Sequence, residues 1–457
     1  MLKLFRINDP YRILLVFLIL VLIRIAWVFI GMPLSVPLMK WLVLGERLGD
    51  GFTMYAEAFD YTAPLSGLVY KWIDYIFGAT RWTHVVFSSM LITIQAWIFN
   101  ATLLRNKAFE ENTFVPAFLY MILACGVTDF WSLSPELMCT TFLLLAINQI
   151  FRRIDNVVTD ELFLYSGIHV GVATFFFPPS AVFFLVLLFS FIGFSSAVAR
   201  RILLYVYGFT VVFLVNWAYF FWFDASDAFF STVFDIFRPK IFYLNYIQFF
   251  IAAGGLAFAL LFGLGGLFTN RFTNFQQKTI QVMLLLTLGA SVCVLLSNNL
   301  SSTTLILFVP TIAFLLTHYS LNIKKPWVKL LIPNIIIVSL VIYPYVFLQI
   351  VGENNLQLSK NTSEYVDKRV MVIGSDLTVY EENFMASPFI DERISVKRLN
   401  GLDYYEKATD LFLVLKKSDP DVIIDQLKAM PKINERFPYF RDNYRKNTYG
   451  DYVKISN

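Results

Sequence analysis

Between residues 12 and 350 the chain is a succession of eleven mostly apolar runs. They lie at about 12–31, 84–104, 114–128, 136–151, 162–178, 181–198, 202–222, 243–268, 279–297, 303–318 and 328–350. A helix that crosses a bilayer needs roughly 20 such residues. Only 15% of the chain is charged and 57% is hydrophobic, whereas a soluble domain averages about 25% charged. The 48 Phe and 23 Tyr suit lipid-facing surfaces and interfacial belts. The expected fold is therefore a polytopic α-helical membrane protein with about eleven spans. The first run follows Lys3, Arg6 and Arg12 but no small-residue cleavage site follows it, so it reads as a retained helix rather than a cleaved signal. Pro178-Pro179 separates the fifth and sixth runs by a tight turn.

Lys and Arg in short loops set the orientation. With the N-terminus in the cytoplasm, inside segments hold 14 of them, including Arg105, Lys107, Arg152, Arg153, Arg200 and Arg201. Outside loops hold 6: Lys40, Arg47, Lys71, Arg81, Arg238 and Lys240. Eleven spans then place the C-terminal end outside. The composition turns polar at Glu353, and runs at 369–373, 411–415 and 421–424 read as strands. Residues 1–352 are thus expected to form the transmembrane domain, with a long first external loop at 32–81. Residues 353–457 are expected to form a small external α/β domain. The net charge of +4 comes from those short loops, and no basic stripe suggests nucleic acid.

The first loop concentrates Glu46, Asp50, Glu57, Asp60 and Asp74. Acidic groups at the edge of a bilayer are costly, and a ligand or chemistry is one reason to retain them. Residues 52–61 have helical spacing, which would put Asp50, Met54, Glu57 and Tyr61 near one face. Thr62-Ala63-Pro64 ends that helix, and 65–77 reads as a second one along the interface. Asp50 is the strongest catalytic candidate, as a general base toward an acceptor hydroxyl or as a cation ligand; the structural alternative is a helix N-cap. Glu57 and Asp60 could hold substrate or pair with Arg24, a buried cation in the first span that needs a partner. The alternatives for that arginine are a structural ion pair and a phosphate contact. Asp129 and Glu136, in and beside the second external loop, are substrate-binding or metal candidates, with helix capping as the alternative for Ser134-Pro135-Glu136. Arg238 and Lys240 flank Pro239 and could meet a lipid phosphate.

Cys125, Cys139 and Cys293 lie in or beside apolar runs, without metal-binding spacing. The three histidines, His84, His169 and His318, are too scattered for a His-rich site. No cofactor is assured; a divalent cation held by carboxylates is the one option that these residues leave.

The first loop resembles that of the GT-C membrane glycosyltransferases, which include the protein mannosyltransferases and the aminoarabinose transferases. The resemblance rests on Asp50-Gly51, Tyr55-Ala56, Tyr61, Pro64-Leu65, Tyr70-Lys71-Trp72 and Phe77-Gly78, in that order. Ser134-Pro135-Glu136-Leu137 and Gly167/Gly171 running into Pro178-Pro179 are similar too. Thr62-Ala63-Pro64-Leu65 stands where some members carry Lys-Pro-Pro-Leu, so one donor-phosphate contact is missing. The resemblance implies a polyprenyl-phosphate-linked sugar donor and an acceptor glycosylated on the external face of a bacterial inner membrane. It implies Asp50 as the catalytic or acceptor-orienting acid, and Arg24, Arg238 or Lys240 at the donor phosphate. The rival readings are a non-catalytic GT-C-like subunit of a secretion or envelope-assembly complex, with membrane-protein partners, and a transporter.

Overall fold

Helices occupy each of the eleven apolar runs. The computed structural model describes residues 2–30, 35–78, 80–154, 159–195, 198–235, 239–269, 272–323, 326–351 and 365–455. Among them, seven helices are long and apolar enough to cross a membrane: Arg81–Arg105, Pro135–Ile154, Ala199–Trp222, Tyr246–Leu267, Asn274–Leu296, Ser302–Asn322 and Leu331–Val351. Glu161–Phe176 and Pro178–Phe194 are shorter apolar helices, and Val115–Leu123 has nine residues. The chain is an integral membrane protein whose fold is mostly helical.

Two compact units emerge. The membrane unit comprises Met1–Met32, His84–Val215 and Lys240–Asn355; the second unit comprises Pro33–Thr83, Asn216–Pro239 and Leu356–Asn457. Within the membrane unit, small residues set the helix spacing, as expected where lipid removes the hydrophobic drive to associate. A Cβ on Gly167 would meet the Tyr205 carbonyl, and one on Gly208 the Leu164 carbonyl, so Glu161–Phe176 and Ala199–Trp222 touch backbone to backbone. Gly263 and Gly266 likewise admit Leu315 and Tyr319 of Val309–Asn322. A short parallel pair joins β1 (Ile241–Phe242) to β2 (Asn299–Leu300). Pro178–Ala181 forms the expected tight turn, as one turn of 3-10 helix.

The second unit carries a five-stranded sheet in the order β4-β3-β5-β7-β6, with β3 Arg369–Ile373, β4 Phe384–Met385, β5 Val422–Asp425, β6 Tyr444–Lys446 and β7 Tyr452–Lys454. β3 is parallel to β4 and β5, and β7 is antiparallel to β5 and β6. Two of the three expected strands are here. The third, 411–415, is instead part of the helix Tyr405–Ser418. Its Ala408, Leu411, Val414, Leu415 and Ser418 are buried at spacings of three and four, so a short apolar run that permits either structure is settled by its flanks.

The early loop is built into this unit. Phe59 and Tyr61 belong to the same core as Met371, Ile373, Phe389 and Leu411. The Phe59 N–H donates to the Pro388 carbonyl at 2.8 Å, and the Asp391 N–H donates to the Phe59 carbonyl at 3.0 Å. Residues 52–61 are not the expected helix. They form turns and bridges, with Tyr55 at φ 69°, its ring tilted against Phe220 and its hydroxyl donating to the Thr62 carbonyl. The helix lies earlier, at Val36–Gly49, and the second is Pro64–Phe77, one residue from its expected start.

Candidate acid-lined cavity

Val36–Gly49 and Pro64–Phe77 pack side by side through glycines. A Cβ on Gly45 would lie 2.9 Å from the Tyr70 carbonyl oxygen, and one on Gly49 would lie 2.6 Å from Asp74 Oδ2. Residues 45 and 49 thus face 70 and 74 in the same order, so the two helices run parallel and end together. Asp50 is the C-cap of the first, its N–H donating to the Glu46 carbonyl, and Gly51 follows at φ +84°. That left-handed glycine stops the helix, so Asp50 closes a helix instead of opening one, and the N-cap alternative falls. The second helix ends at Gly78, at φ +77°.

A cavity of about 800 Å³ opens where these helices end. Leu42 and Val43 form an apolar wall, and Trp82 and Phe384 add aromatic ones. Six carboxylates line it: Glu46, Asp50, Asp74, Asp367, Glu381 and Glu382. Arg81 is the one cation among the described lining residues, and it sits over the Trp82 ring at 4.7 Å. Helix C-termini carry a partial negative charge of roughly half an electron. Acids in the last turns therefore add to a potential already of their own sign.

Glu46 and Asp74 respond to this setting. Burial pushes Glu46 up to about 7; the nearby Asp50 and Asp74 charges add to that, while the Met385 N–H, 2.9 Å from Glu46 Oε1, works against it. Asp74 is also raised, by burial first and then by Asp50. The Glu46–Met385 bond has a second consequence: it occupies an N–H on the outer strand of the sheet, which would otherwise be a free edge.

Of the residues singled out from the sequence, Asp50 lines the cavity, and it is exposed rather than partly buried. Glu57 does not line it. Its carboxylate accepts from Lys417 at 2.7 and 2.8 Å and from the Thr53 N–H at 2.7 Å. Asp60 is fully buried, 2.7 Å from Lys40 Nζ. Lys40 also reaches Asp391 at 2.6 Å, and Arg393 completes the network at 2.7 Å from Asp391. The expected pairing of Arg24 with Glu57 or Asp60 is thus replaced on both sides. Arg24 is buried in the membrane unit and donates to neutral acceptors: Val85 O at 2.9 Å, Ser88 Oγ at 2.7 Å, Ser89 Oγ at 2.5 Å and Phe130 O at 3.1 Å. The Trp131 ring lies 5.5 Å from its guanidinium.

Asp129 and Glu136 also belong to the membrane unit. Asp129 accepts from the Ser302 hydroxyl, and burial raises its pKa against that bond. Glu136 is buried in the first turn of Pro135–Ile154, after Ser134, whose hydroxyl accepts from the Leu137 N–H. The capping alternative thus describes Ser134. Lys240 is exposed and donates to the Leu295 carbonyl at 3.0 Å. Arg238 lies outside the described residues. Among the described residues no three His, Cys, Asp or Glu side chains are grouped so as to hold a metal ion.

Sequence reasoning noted Glu46 and Asp74 as acids and Arg81 as an external-loop cation, but not as cavity residues, and missed Asp367, Glu381 and Glu382 altogether. One signal was available: an acid in the last turn of an amphipathic helix is at the unfavourable end, and both Glu46 and Asp74 are there. The three acids beyond residue 360 gave none, because only tertiary folding brings them to the loop.

A family model described as a family of unknown function (DUF6427) matches residues 63–351, more than half of the chain. No curated protein matches the sequence. Among solved structures, ArnT from Cupriavidus metallidurans bound to undecaprenyl phosphate aligns with a TM-score of 0.56 at 8% identity, over 98% of this chain and 98% of that one. The Archaeoglobus fulgidus oligosaccharyltransferase in its apo form aligns with a TM-score of 0.49 at 11% identity, over 91% of this chain and 69% of that one. The fold is GT-C-like, as the loop motifs implied.

Proposed function

This chain belongs to the DUF6427 family of unknown function, and from its GT-C-like fold and acid-lined cavity we propose that it is a membrane glycosyltransferase. The reaction is transfer of a sugar from a polyprenyl-phosphate donor to a hydroxyl of a lipid, glycan or protein, at the outer face of a bacterial inner membrane. The observation that carries the reading is the cavity itself: about 800 Å³, in the size range of small-molecule sites (roughly 300–1,000 Å³), with the exposed carboxylate of Asp50 in its lining. The solved ArnT with undecaprenyl phosphate supports a lipid-phosphate donor.

In this reading Asp50 takes the proton of the acceptor hydroxyl as its oxygen bonds to the anomeric carbon. The sugar–phosphate bond breaks on the opposite side, the lipid phosphate leaves with the electron pair, and the configuration inverts. The donor phosphate is assigned to basic residues rather than to the cavity, whose carboxylates would repel it; Lys240 and Arg238 are the candidates. Arg24 is withdrawn from that role, because its Nη1 and Nη2 are already committed to neutral acceptors.

The test is transfer in proteoliposomes from a labelled polyprenyl-phosphate sugar, with the product identified by mass spectrometry. Asp50→Asn should abolish transfer while leaving membrane insertion and thermal stability unchanged. Full activity in that variant would remove Asp50 from the chemistry. Absence of any transfer by the wild type over a panel of donors would favour the non-catalytic scaffold instead.

A further inference from the structure

We propose that Phe52 is a positioning residue for Asp50, gripped by the buried guanidinium of Arg47 and the ammonium of Lys417, and that this grip fixes the turn on which the carboxylate stands. The proposal rests on the transferase reading in taking Asp50 as the acid that meets the acceptor.

The Asp50 side chain does not fix itself. It is exposed, and no hydrogen bond or ion pair holds its carboxylate among the described residues. Gly51, at φ +84°, offers no side chain, and a Cβ there would meet nothing within 4 Å. The first side chain after Asp50 to enter the interior is that of Phe52. The helix before Asp50 holds one side of the turn, and the Phe52 ring holds the other.

Two cations hold that ring. Arg47 is 0% exposed, its guanidinium carbon lies 3.2 Å from the centre of the Phe52 ring, and its Nη2 donates to the Ser418 hydroxyl. Its Nε and Nη1 are buried and have no acceptor among the described residues. A guanidinium placed so is a costly way to fill space, and its contact with the ring is of the kind that strengthens on desolvation. Lys417 Nζ lies 4.3 Å from the centre of the same ring. It also donates to the Gly51 carbonyl at 3.4 Å and pairs with Glu57 at 2.7 Å, and Glu57 accepts from the Thr53 N–H at 2.7 Å. The peptide groups on both sides of Phe52 are thus tied to one ion pair. Lys417 and Ser418 end the helix Tyr405–Ser418, so a distant part of the same unit sets the place of the Asp50 turn. Glu57 belongs to the support of Asp50 and not to the cavity.

The full-length protein in nanodiscs is assayed for transfer from the labelled polyprenyl-phosphate sugar that the wild type uses, and for amide hydrogen exchange over residues 50–53 without donor. Lys417 is the outer end of the grip, with its side chain 44% exposed, so Lys417→Met should fold as the wild type does; Phe52→Leu removes the ring. Both should exchange faster at 50–53. Both should lower kcat by about tenfold or more, since a displacement on the order of 1 Å can cost about a hundredfold, with KM for the donor within about twofold. Lys417→Arg keeps a cation at the ring and should restore both readouts. A merely structural contact would move the melting temperature and leave kcat per folded molecule as it was. Unchanged exchange in both variants overturns the grip. Faster exchange with unchanged kcat overturns the positioning role and leaves the Asp50→Asn result, and with it the transferase reading, untouched. A wild type that transfers nothing overturns the transferase reading and the role given to the turn, whereas the exchange rates report the grip by themselves.

Discussion

Replacing Lys40 by methionine tests how the early loop is held to the sheet. Its ammonium lies 2.7 Å from Asp60 and 2.6 Å from Asp391, and all three side chains are buried. Asp391 keeps Arg393, at 2.7 Å. Among the described residues Asp60 keeps only neutral donors such as the Thr62 N–H, 3.1 Å from Oδ2. Removing one partner of a buried pair typically costs about 3–5 kcal/mol, because an uncompensated charge remains. For a unit of this size a loss of 1 kcal/mol lowers the melting temperature by roughly 2–4 °C, so Lys40→Met should lower it by about 6–20 °C. Thermal unfolding of the detergent-solubilised protein, followed by near-ultraviolet circular dichroism, reads this directly. Adding Asp60→Asn removes the stranded charge and should recover at least half of the loss. A drop of less than about 2 °C for the single variant, or no recovery in the double, would refute the reasoning.

Burial alone would raise Asp391, but the Lys40 and Arg393 charges outweigh it and hold the carboxyl well below its usual range. The stability it contributes is present above the unfolded value near 3.9 and is lost as pH falls through the folded one. Lys40→Met should therefore move acid unfolding to higher pH in a pH-jump fluorescence assay; an unmoved transition counts against the network. Glu46 has the opposite sign: its folded value of about 7 lies above the unfolded one, so its cost is absent below about pH 4.3 and grows until the folded value is passed. Glu46→Gln should therefore melt higher than wild type at pH 8, with the gap closing near pH 4; a pH-independent difference would refute the electrostatic cause. Gly49→Ala places a methyl against Asp74 and should cost about 1–3 kcal/mol, relieved by Asp74→Ala; the melting temperatures of both variants check this. Arg24→Lys keeps the charge but cannot span Ser88, Ser89 and the Phe130 carbonyl. It should cost about 1–3 kcal/mol, and an unchanged melting temperature would show that the fork is dispensable.

The membrane helices were legible because lipid leaves the backbone a single economical solution, and their apolar runs are long. Pro64–Phe77 was legible from its proline start and its aromatic face. Residues 52–61 were misread, since their helix-like spacing of apolar groups serves a different end: Phe59 and Tyr61 fill the core of a sheet encoded more than 300 residues later. The same distance hid three of the six acids of the cavity wall. Asp50 was found for its acidity and its Gly-flanked setting, but its place at a helix end depended on where the helix lay. Arg24 was rightly read as a buried cation in need of partners. Its partners are hydroxyls and carbonyls, which no count of charges reveals.

The strand-like bridge between Phe59 and Phe389 bears on how the chain is made. Residue 59 leaves the ribosome some 330 residues before its hydrogen-bonding partner exists. During that interval Phe59, Tyr61 and the early acids Glu46, Asp50 and Asp74 have no sheet to rest on. Closing so long a loop is slow, and it can occur only after the intervening helices have been made. A soluble fragment cut at residue 353 would lack Phe59, Tyr61 and Lys40, and so part of its own core. The cavity is therefore completed last, and a chain that stalls partway through synthesis carries Asp50 without the wall that makes it a site.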